Sequence, residues 1–270
     1  MKQFYFVFCQ DALLVCRQKD GTYSVPLQDE PPTPLQPWTN VFDITPMADG
    51  TPVKAYAIDS PVGPDTIGLN IADDTEPEMV PLRQSYYKLP TEQYLKGGKC
   101  RELLYWDHET HYCGICGSPM KMHTEISKHC TSCGKEVWPQ LATAVIALIH
   151  RGDEVLLVRA RNFRSNFYGL VAGFVETGET LEEAITREAM EETGISIGNI
   201  RYFASQPWPY PCGLMVGFNA DYTGGSLHLQ HTELSTAGWF RRDNLTQLPE
   251  KLSIARRLID AWLEEPPKCG

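Results

Sequence analysis

The chain changes hydrophobic period several times, and each change predicts an element. Phe4, Phe6 and Phe8 alternate with other residues, which predicts an opening strand. Short apolar runs at 13–16 and 53–58 predict further strands, separated by a proline-rich break at Pro31, Pro32, Pro34 and Pro37. From residue 141 onward the pattern is mixed. LATAVIALI and EVLLVRA flank an Arg151-Gly152-Asp153 turn and read as a hairpin of buried strands, and GLVAGFVE follows as another. IRYFAS, LMVGFNADY and GWFRR predict more strands, and an amphipathic helix from about 249 to 264 closes the chain. Between 180 and 193 the period becomes helical, with Thr180 as N-cap, Glu183 three residues on as its capping-box partner, and Gly194 suited to a left-handed C-terminus. Helices alternating with a mixed sheet predict an α/β sandwich.

That helix carries an anomaly. Its stripe runs Leu181, Ile185, Glu188, Glu192, at steps of four, three and four, so an apolar face ends in carboxylates. Burying two like charges is costly unless a cation neutralises them. Oxygen-rich clusters suit Mg²⁺ or Mn²⁺, which keep waters and bridge to phosphate oxygens. A solvated acidic helix is the plainer reading, but it leaves the preceding loop, with glycines at 169, 173 and 178, unexplained.

A length of 270 residues allows about two domains. The formal charge of −10 argues against a protein held mainly by nucleic-acid phosphates. No apolar run approaches the roughly 20 residues of a membrane helix, and Gln10 and Asp11 cut short the aromatic start, so no signal peptide is expected. Four of the nine cysteines are spaced Cys113-x2-Cys116-x13-Cys130-x2-Cys133, each pair followed by glycine. That is zinc-ribbon spacing, and a closed four-thiolate shell implies structural Zn²⁺. Two disulfides would fit an exported chain instead. Cys9, Cys16, Cys100, Cys212 and Cys269 share no spacing and are expected to be ordinary thiols, which together places the protein in the cytoplasm. Three regions follow: a small mixed α/β domain at 1–107, a zinc ribbon at 108–138 and a catalytic domain at 139–265.

Residues 173–195, GFVETGETLEEAITREAMEETGI, resemble the Nudix box, G-x5-E-x7-R-E-U-x-E-E-x-G-U with U aliphatic. Gly173, Glu179, Arg187, Glu188, Glu191, Glu192, Gly194 and Ile195 fall in place, while Ala189 stands where a bulkier aliphatic is usual. The resemblance implies a Nudix α/β/α sandwich with a mixed sheet, and hydrolysis of a nucleoside diphosphate linked to another group. A second segment, Ser205-Gln206-Pro207-Trp208-Pro209-Tyr210-Pro211, has three alternating prolines that predict a stiff, extended loop presenting Gln206, Trp208 and Tyr210. Physics alone leaves open whether those aromatics pack on the core or wall a ligand. The segment, with Leu214-Met215 after it, is similar to the signature of the NADH pyrophosphatase branch, which also carries a four-cysteine ribbon. Similarity extends through Tyr112-Cys113-Gly114, Trp138-Pro139-Gln140 and residues 254–259. Departures are Tyr210 for Phe, Gly213 for Ser, and Trp138 for Tyr.

The resemblance implies site residues by position. The Ala172 carbonyl with Glu188, Glu192 and Glu233 is expected to hold catalytic Mg²⁺ or Mn²⁺. Glu191 is expected to serve a further metal or orient water, and Arg187 to orient the glutamates by charge-assisted hydrogen bonds. Gln206, Pro207, Trp208, Pro209, Tyr210, Pro211, Cys212, Gly213 and Ala255 are expected to line the dinucleotide pocket. Arg83, Glu125 and Trp138 match substrate-contacting positions, and Phe174 is a stacking partner for a base. The implied reaction splits NADH, and less readily NAD⁺, into nicotinamide mononucleotide and AMP, in a homodimer with no membrane partner. NAD-capped RNA offers the same bond in a polymer. Alternatives are a Nudix hydrolase of ADP-ribose or a nucleotide sugar and, from another class, a zinc-ribbon adaptor for nucleic acid or protein. An adaptor predicts eroded glutamates, and here the box is complete.

Overall fold

The computed structural model describes residues 1–72, 75–161, 167–230, 232–245 and 247–265. The chain divides into two compact units, residues 1–140 with 209–212, and residues 141–208 with 213–270.

The first unit contains β1 (Gln3–Cys9), β2 (Ala12–Arg17), β3 (Tyr23–Ser24), β4 (Leu27–Gln28), β5 (Phe42–Ile44), β6 (Val53–Ala57), β7 (Glu76–Pro81), α1 (Leu82–Ser85) and α2 (Thr91–Glu109). The sheet order is β3-β2-β1-β6-β5, with β4 also on β1 and β7 on β2. The phenylalanine alternation of β1 holds: Phe6 and Phe8 enter a core with α2 residues such as Cys100 and Leu103. Tyr5 and Val7 enter a smaller cluster with Leu14 and Tyr56. Both faces of β1 are therefore covered. Helix α2, 19 residues long, is not foreshadowed by the hydrophobic pattern; Gly97 and Gly98 in its middle read locally as a break.

Three short strands follow: β8 (Met120–Thr124), β9 (Ser127–Cys130) and β10 (Glu136–Val137), ordered β10-β9-β8. Lys128 of β9 is buried, and its Nζ donates to the Asp107 carboxylate at 2.6 Å and to the Asp107 carbonyl at 2.8 Å. This pair ties the ribbon to the end of α2.

The second unit contains β11 (Ala142–Arg151), β12 (Glu154–Ala160), β13 (Val171–Phe174), α3 (Leu181–Thr193), β14 (Ile195–Trp208), β15 (Gly213–Gly225), β16 (Leu234–Arg241) and α4 (Ile254–Glu264). Sheet order is β14-β15-β11-β12-β16, with β13 also on β11 and with β11 and β15 parallel. Val145, Ala147 and Ile149 of β11 face the cluster that holds Ala184, Ile185 and Ala189 of α3. Ile146 and Leu148 face the cluster of Leu258, Ile259 and Trp262 of α4. A strand buried on both faces reads as an unbroken apolar run, as this one does. The layers are helix, mixed sheet, helix, as the sequence predicts.

One topological detail positions the site. β12 pairs with β11 only at His150↔Val155 and Arg151↔Glu154, then diverges. Residues 169–174 bridge the gap: Gly169 pairs with Val158 of β12, and β13 then pairs with β11 from Ala147↔Val171 to Ala144↔Phe174. No helix among the described residues is long and apolar enough to cross a membrane.

Candidate active site

β13 delivers the chain to a tight loop and then to α3. The predicted cap is present. The Glu183 amide donates to Thr180 Oγ1 at 3.2 Å, and Glu183 Oε2 accepts from the Thr180 amide at 2.8 Å. At the other end Gly194 is left-handed, φ +71°, and its amide donates to the Met190 carbonyl. This cap fixes the rotation of α3, and rotation decides what its faces bury. Ala184, Ile185 and Ala189 are fully buried, and the same side carries Glu188 and Glu192, 8% and 6% exposed. Ala189 is fully buried in the same cluster. Glu191 points to solvent.

Arg187 organises the cluster. Its Nε and one terminal nitrogen hold both oxygens of Glu179, at 2.6 and 3.0 Å. The same terminal nitrogen reaches the Phe174 carbonyl at 3.0 Å, and the other donates to Glu188 at 2.9 Å and Glu191 at 3.1 Å. The guanidinium fork thus locks loop, strand and helix together. It also holds the Glu179 carboxyl down to about 2, helped by a hydrogen bond from the Glu176 amide. The sequence places Glu179 in the box but gives it no role; its task is to aim Arg187.

Glu188 and Glu192 are pushed the opposite way. Burial raises the Glu188 carboxyl, against the pull of Arg187, with further lift from the charges of Glu191 and Glu233. Glu192 is raised to about 8, first by burial, then by Glu188 and Glu233, and partly offset by a hydrogen bond with the Ala172 backbone. Both glutamates therefore sense Glu233, which lies 41 residues beyond Glu192 in a turn before β16. One oxygen of Glu192, Oε2, is buried with no hydrogen-bond partner. An orphaned buried carboxylate oxygen among like charges is a ready ligand for a hard cation. Gly173 keeps the space open, because a Cβ there would overlap the Glu188 carboxylate outright.

The β13 backbone contributes as well. The Val175 amide bonds to Thr143 of β11, whereas the peptide groups of Ala172 and Phe174 turn toward Glu192 and Arg187. N–H and C=O of one strand residue project to the same side, so the Ala172 carbonyl faces the carboxylates. The donor set is all oxygen, which fits Mg²⁺ or Mn²⁺. Among the described residues only the four cysteines bring three or more ligand atoms within 4.8 Å of one another.

The cysteine quartet has the dimensions of a structural zinc site. Sγ of Cys113 lies 3.6 Å from that of Cys133, and Cys116 lies 3.4 Å from Cys130. Tetrahedral Zn–S bonds of about 2.3 Å place sulfurs ~3.8 Å apart. Backbone amides of Ile115, Ser132 and Cys133 point at the sulfurs at 3.4 Å, as a knuckle requires. Hydrogen bonds from Ser118 lower the Cys116 thiol, while the neighbouring sulfurs raise Cys133. Cys9, Cys16 and Cys100 are buried free thiols and Cys212 is half-buried, while Cys269 lies outside the described residues.

The remaining expected site residues are spread over both units. In the second unit, Gln206 lies two residues before the end of β14, its amide donating to the Leu252 carbonyl at 2.8 Å and its own oxygen buried without a partner. Pro207 is exposed and Trp208 half-buried. Gly213 opens β15 where a Cβ would lie 3.0 Å from the Trp208 carbonyl, so glycine suits the close approach better than serine. Ala255 is buried in the α4 core, and Phe174 projects 65% exposed from the end of β13. In the first unit are Arg83 on α1, Glu125 at the β8–β9 turn, Trp138 half-exposed after β10, and Pro209–Cys212. The expectation of a uniformly extended proline segment needs correction. It is strand through Trp208, but Pro209–Cys212 is a turn that packs with the first unit.

Comparison with known proteins agrees with this geometry. Residues 139–263 match the NUDIX domain family, and residues 2–106 match the NADH pyrophosphatase-like rudimentary NUDIX domain. The chain is similar to a NAD-capped RNA hydrolase NudC of Chromobacterium violaceum, 41% identical over 183 residues, 67% of this chain and 69% of the relative. A protein of the same name from Stutzerimonas stutzeri is 38% identical over 216 residues, 80% and 75% of the two chains. Another, from Pectobacterium atrosepticum, reaches 49% over 150 residues, spanning 55% of this chain and 58% of the relative.

Proposed function

This chain belongs to the Nudix hydrolases of the NADH pyrophosphatase branch with a four-cysteine ribbon, and on that premise we propose that it hydrolyses the pyrophosphate of NADH and NAD⁺, whether free or as the cap of an RNA. Water adds to one phosphorus, the bridging P–O bond breaks, and nicotinamide mononucleotide and AMP leave, the AMP being the RNA 5′ end when the substrate is capped. The observation that carries this reading is the buried pair Glu188 and Glu192, crowded by Glu233 and left with an orphaned oxygen.

Mg²⁺ or Mn²⁺, when bound, would supply charge neutralisation for the phosphates and would acidify water. Glu188, Glu192, Glu233 and the Ala172 carbonyl would hold it. Arg187 keeps Glu188 and Glu191 in register, and Glu179 keeps Arg187 in place, so the carboxylates are preorganised before substrate arrives. Glu191, half in solvent, is left to orient water or a further ion. For the dinucleotide we carry over Arg83, Glu125, Trp138, Phe174, Gln206, Pro207, Trp208, Pro209, Tyr210, Pro211, Cys212, Gly213 and Ala255 as contacts. We also take the enzyme to be a cytoplasmic homodimer with one structural zinc per chain, and residues 1–107, 108–138 and 139–265 to be its three domains.

The test is parallel turnover of NADH, NAD⁺, ADP-ribose and NAD-capped RNA with Mg²⁺ or Mn²⁺, reading nucleotide products by mass. Preference for NADH and release of AMP, with turnover lost by orders of magnitude in Glu192→Gln, is expected. Indifference among the four substrates refutes the NAD(H) assignment; near-normal turnover of Glu192→Gln refutes the metal site.

A further inference from the structure

Pro209–Cys212 is only four residues, joining two long antiparallel strands of the second unit, yet it groups with the first. Two contacts on one face of α2 hold it. The Tyr94 hydroxyl lies 3.1 Å from the Tyr210 hydroxyl. Tyr94 is only 6% exposed, and its ring is fixed edge-on against Tyr86 at 5.3 Å, so the hydroxyl has little freedom to go elsewhere. One helical turn further on, at i+4, Gly98 faces the Pro209 ring. A Cβ at Gly98 would lie 3.2, 3.8 and 3.9 Å from three atoms of that ring.

The glycine pair in α2 has a different cause at each position. An interior helical glycine costs about 0.5–1 kcal/mol relative to alanine, and 97 and 98 together place that cost in the middle of one helix. Gly97 admits Leu82, Leu13 and Phe6 of the first unit's core, a packing role. Gly98 meets nothing but Pro209 within that range. Its conformational cost is thus incurred for a four-residue turn, not for the core.

We propose that Tyr94 and Gly98 are positioning residues for the substrate loop. They fix Pro209 and Tyr210 on α2, and thereby fix the direction in which the loop presents the Tyr210 ring. The Tyr210 hydroxyl is engaged by Tyr94, and its ring packs partly against the first unit's core. This gives the first unit a role in substrate selection that its lack of a Nudix box does not reveal. The inference rests on the reading that residues 206–213 contact the dinucleotide.

Two substitutions separate positioning from stability. Tyr94→Phe deletes one hydroxyl in place. Gly98→Ala improves helix propensity but presses a methyl on Pro209, so melting temperature is expected to hold or rise while binding weakens. Each is expected to raise KM for NADH about three- to tenfold with kcat little changed, for Tyr94→Phe the worth of one neutral hydrogen bond. In the double variant Tyr94→Phe/Tyr210→Phe, KM is expected to match the single variants, since both remove one bond. If Trp208→Ala raises KM while Tyr94→Phe and Gly98→Ala keep parental KM, positioning by α2 is refuted and the substrate loop stands. If Trp208→Ala also leaves KM unchanged, the loop is not a substrate wall, and the inference falls with that reading.

Discussion

Gly173→Ala isolates the geometry of the carboxylate cluster from the stability of the fold. The methyl group would stand 2.5 Å from Glu188 Oε2 and closer still to the other carboxylate atoms. Ordinary contact needs about 3.4 Å, and the nearest carboxylate atom sets the requirement, so the carboxylate must retreat by roughly 1.5 Å. Retreat stretches the 2.9 Å bond from Arg187 and moves one proposed metal ligand off its position. A displacement of about 1 Å at reacting groups costs on the order of 10²-fold. The obstruction is the far end of a flexible side chain, and the backbone φ at 173 is not in the left-handed region. Folding should therefore be unharmed, and loss of glycine's freedom in the unfolded chain favours the variant by about 0.4–1 kcal/mol. The assay pairs urea denaturation with steady-state NADH hydrolysis. Turnover should fall about 10²-fold while stability holds or rises, and Gly173→Ala/Glu188→Gln should be no slower than Glu188→Gln alone. Turnover within threefold of the parent would refute the account.

Three further outcomes are expected. Arg187→Lys loses the bidentate grip on Glu179 and two of the remaining three contacts, so kcat should drop about tenfold or more with little change in KM; an unchanged kcat counts against Arg187 as the organiser. Glu102 on α2 is raised from 4.5 to about 7 by burial, and one of its oxygens has no partner. The folded state therefore holds a proton that the unfolded state has released, so this contribution is full below about 4.5 and lost as pH rises through about 7. Allowing for its partial exposure, Glu102→Gln should gain about 1–2 kcal/mol relative to the parent between pH 4.5 and 8; a stability difference that is flat with pH contradicts this. Lys128→Met strands the Asp107 carboxylate with Asn40 at 3.1 Å as its nearest remaining amide donor, costing about 3–5 kcal/mol in chemical denaturation, largely recovered by adding Asp107→Leu. A loss under 1 kcal/mol in Lys128→Met would show the pair to be dispensable.

What the sequence discloses is mostly local. The α3 cap, its left-handed exit at Gly194 and the stripe that turns from Leu181 to Glu192 all follow from spacings of three or four residues, and each is present. The hairpin of β11 and β12 is equally legible, because a strand buried on both faces needs an unbroken apolar run. Helix α2 is not, since the chemistry that excuses Gly97 and Gly98 lies elsewhere in the chain, at Leu82, Leu13 and Pro209. The same non-locality conceals the Tyr94–Tyr210 bond, which spans 116 residues. Glu233 is the intermediate case: position within the resemblance marks it, and the physical reason appears only when its charge is felt at Glu188 and Glu192. The proline segment misleads in part, because prolines restrict φ but do not decide whether the next residues run straight or turn.

The split between β11 and β12 has a consequence for how such an enzyme can diverge. Among the described residues β13 pairs with β11 alone, and its Ala172 and Phe174 peptide groups serve the carboxylates and Arg187 directly. Main-chain groups survive any side-chain replacement. The exposed side chain at Phe174 can thus vary while the amide and carbonyl framework beneath it stays in place. Chemistry written in the backbone and preference written in side chains can then be inherited separately, residue by residue along the same strand.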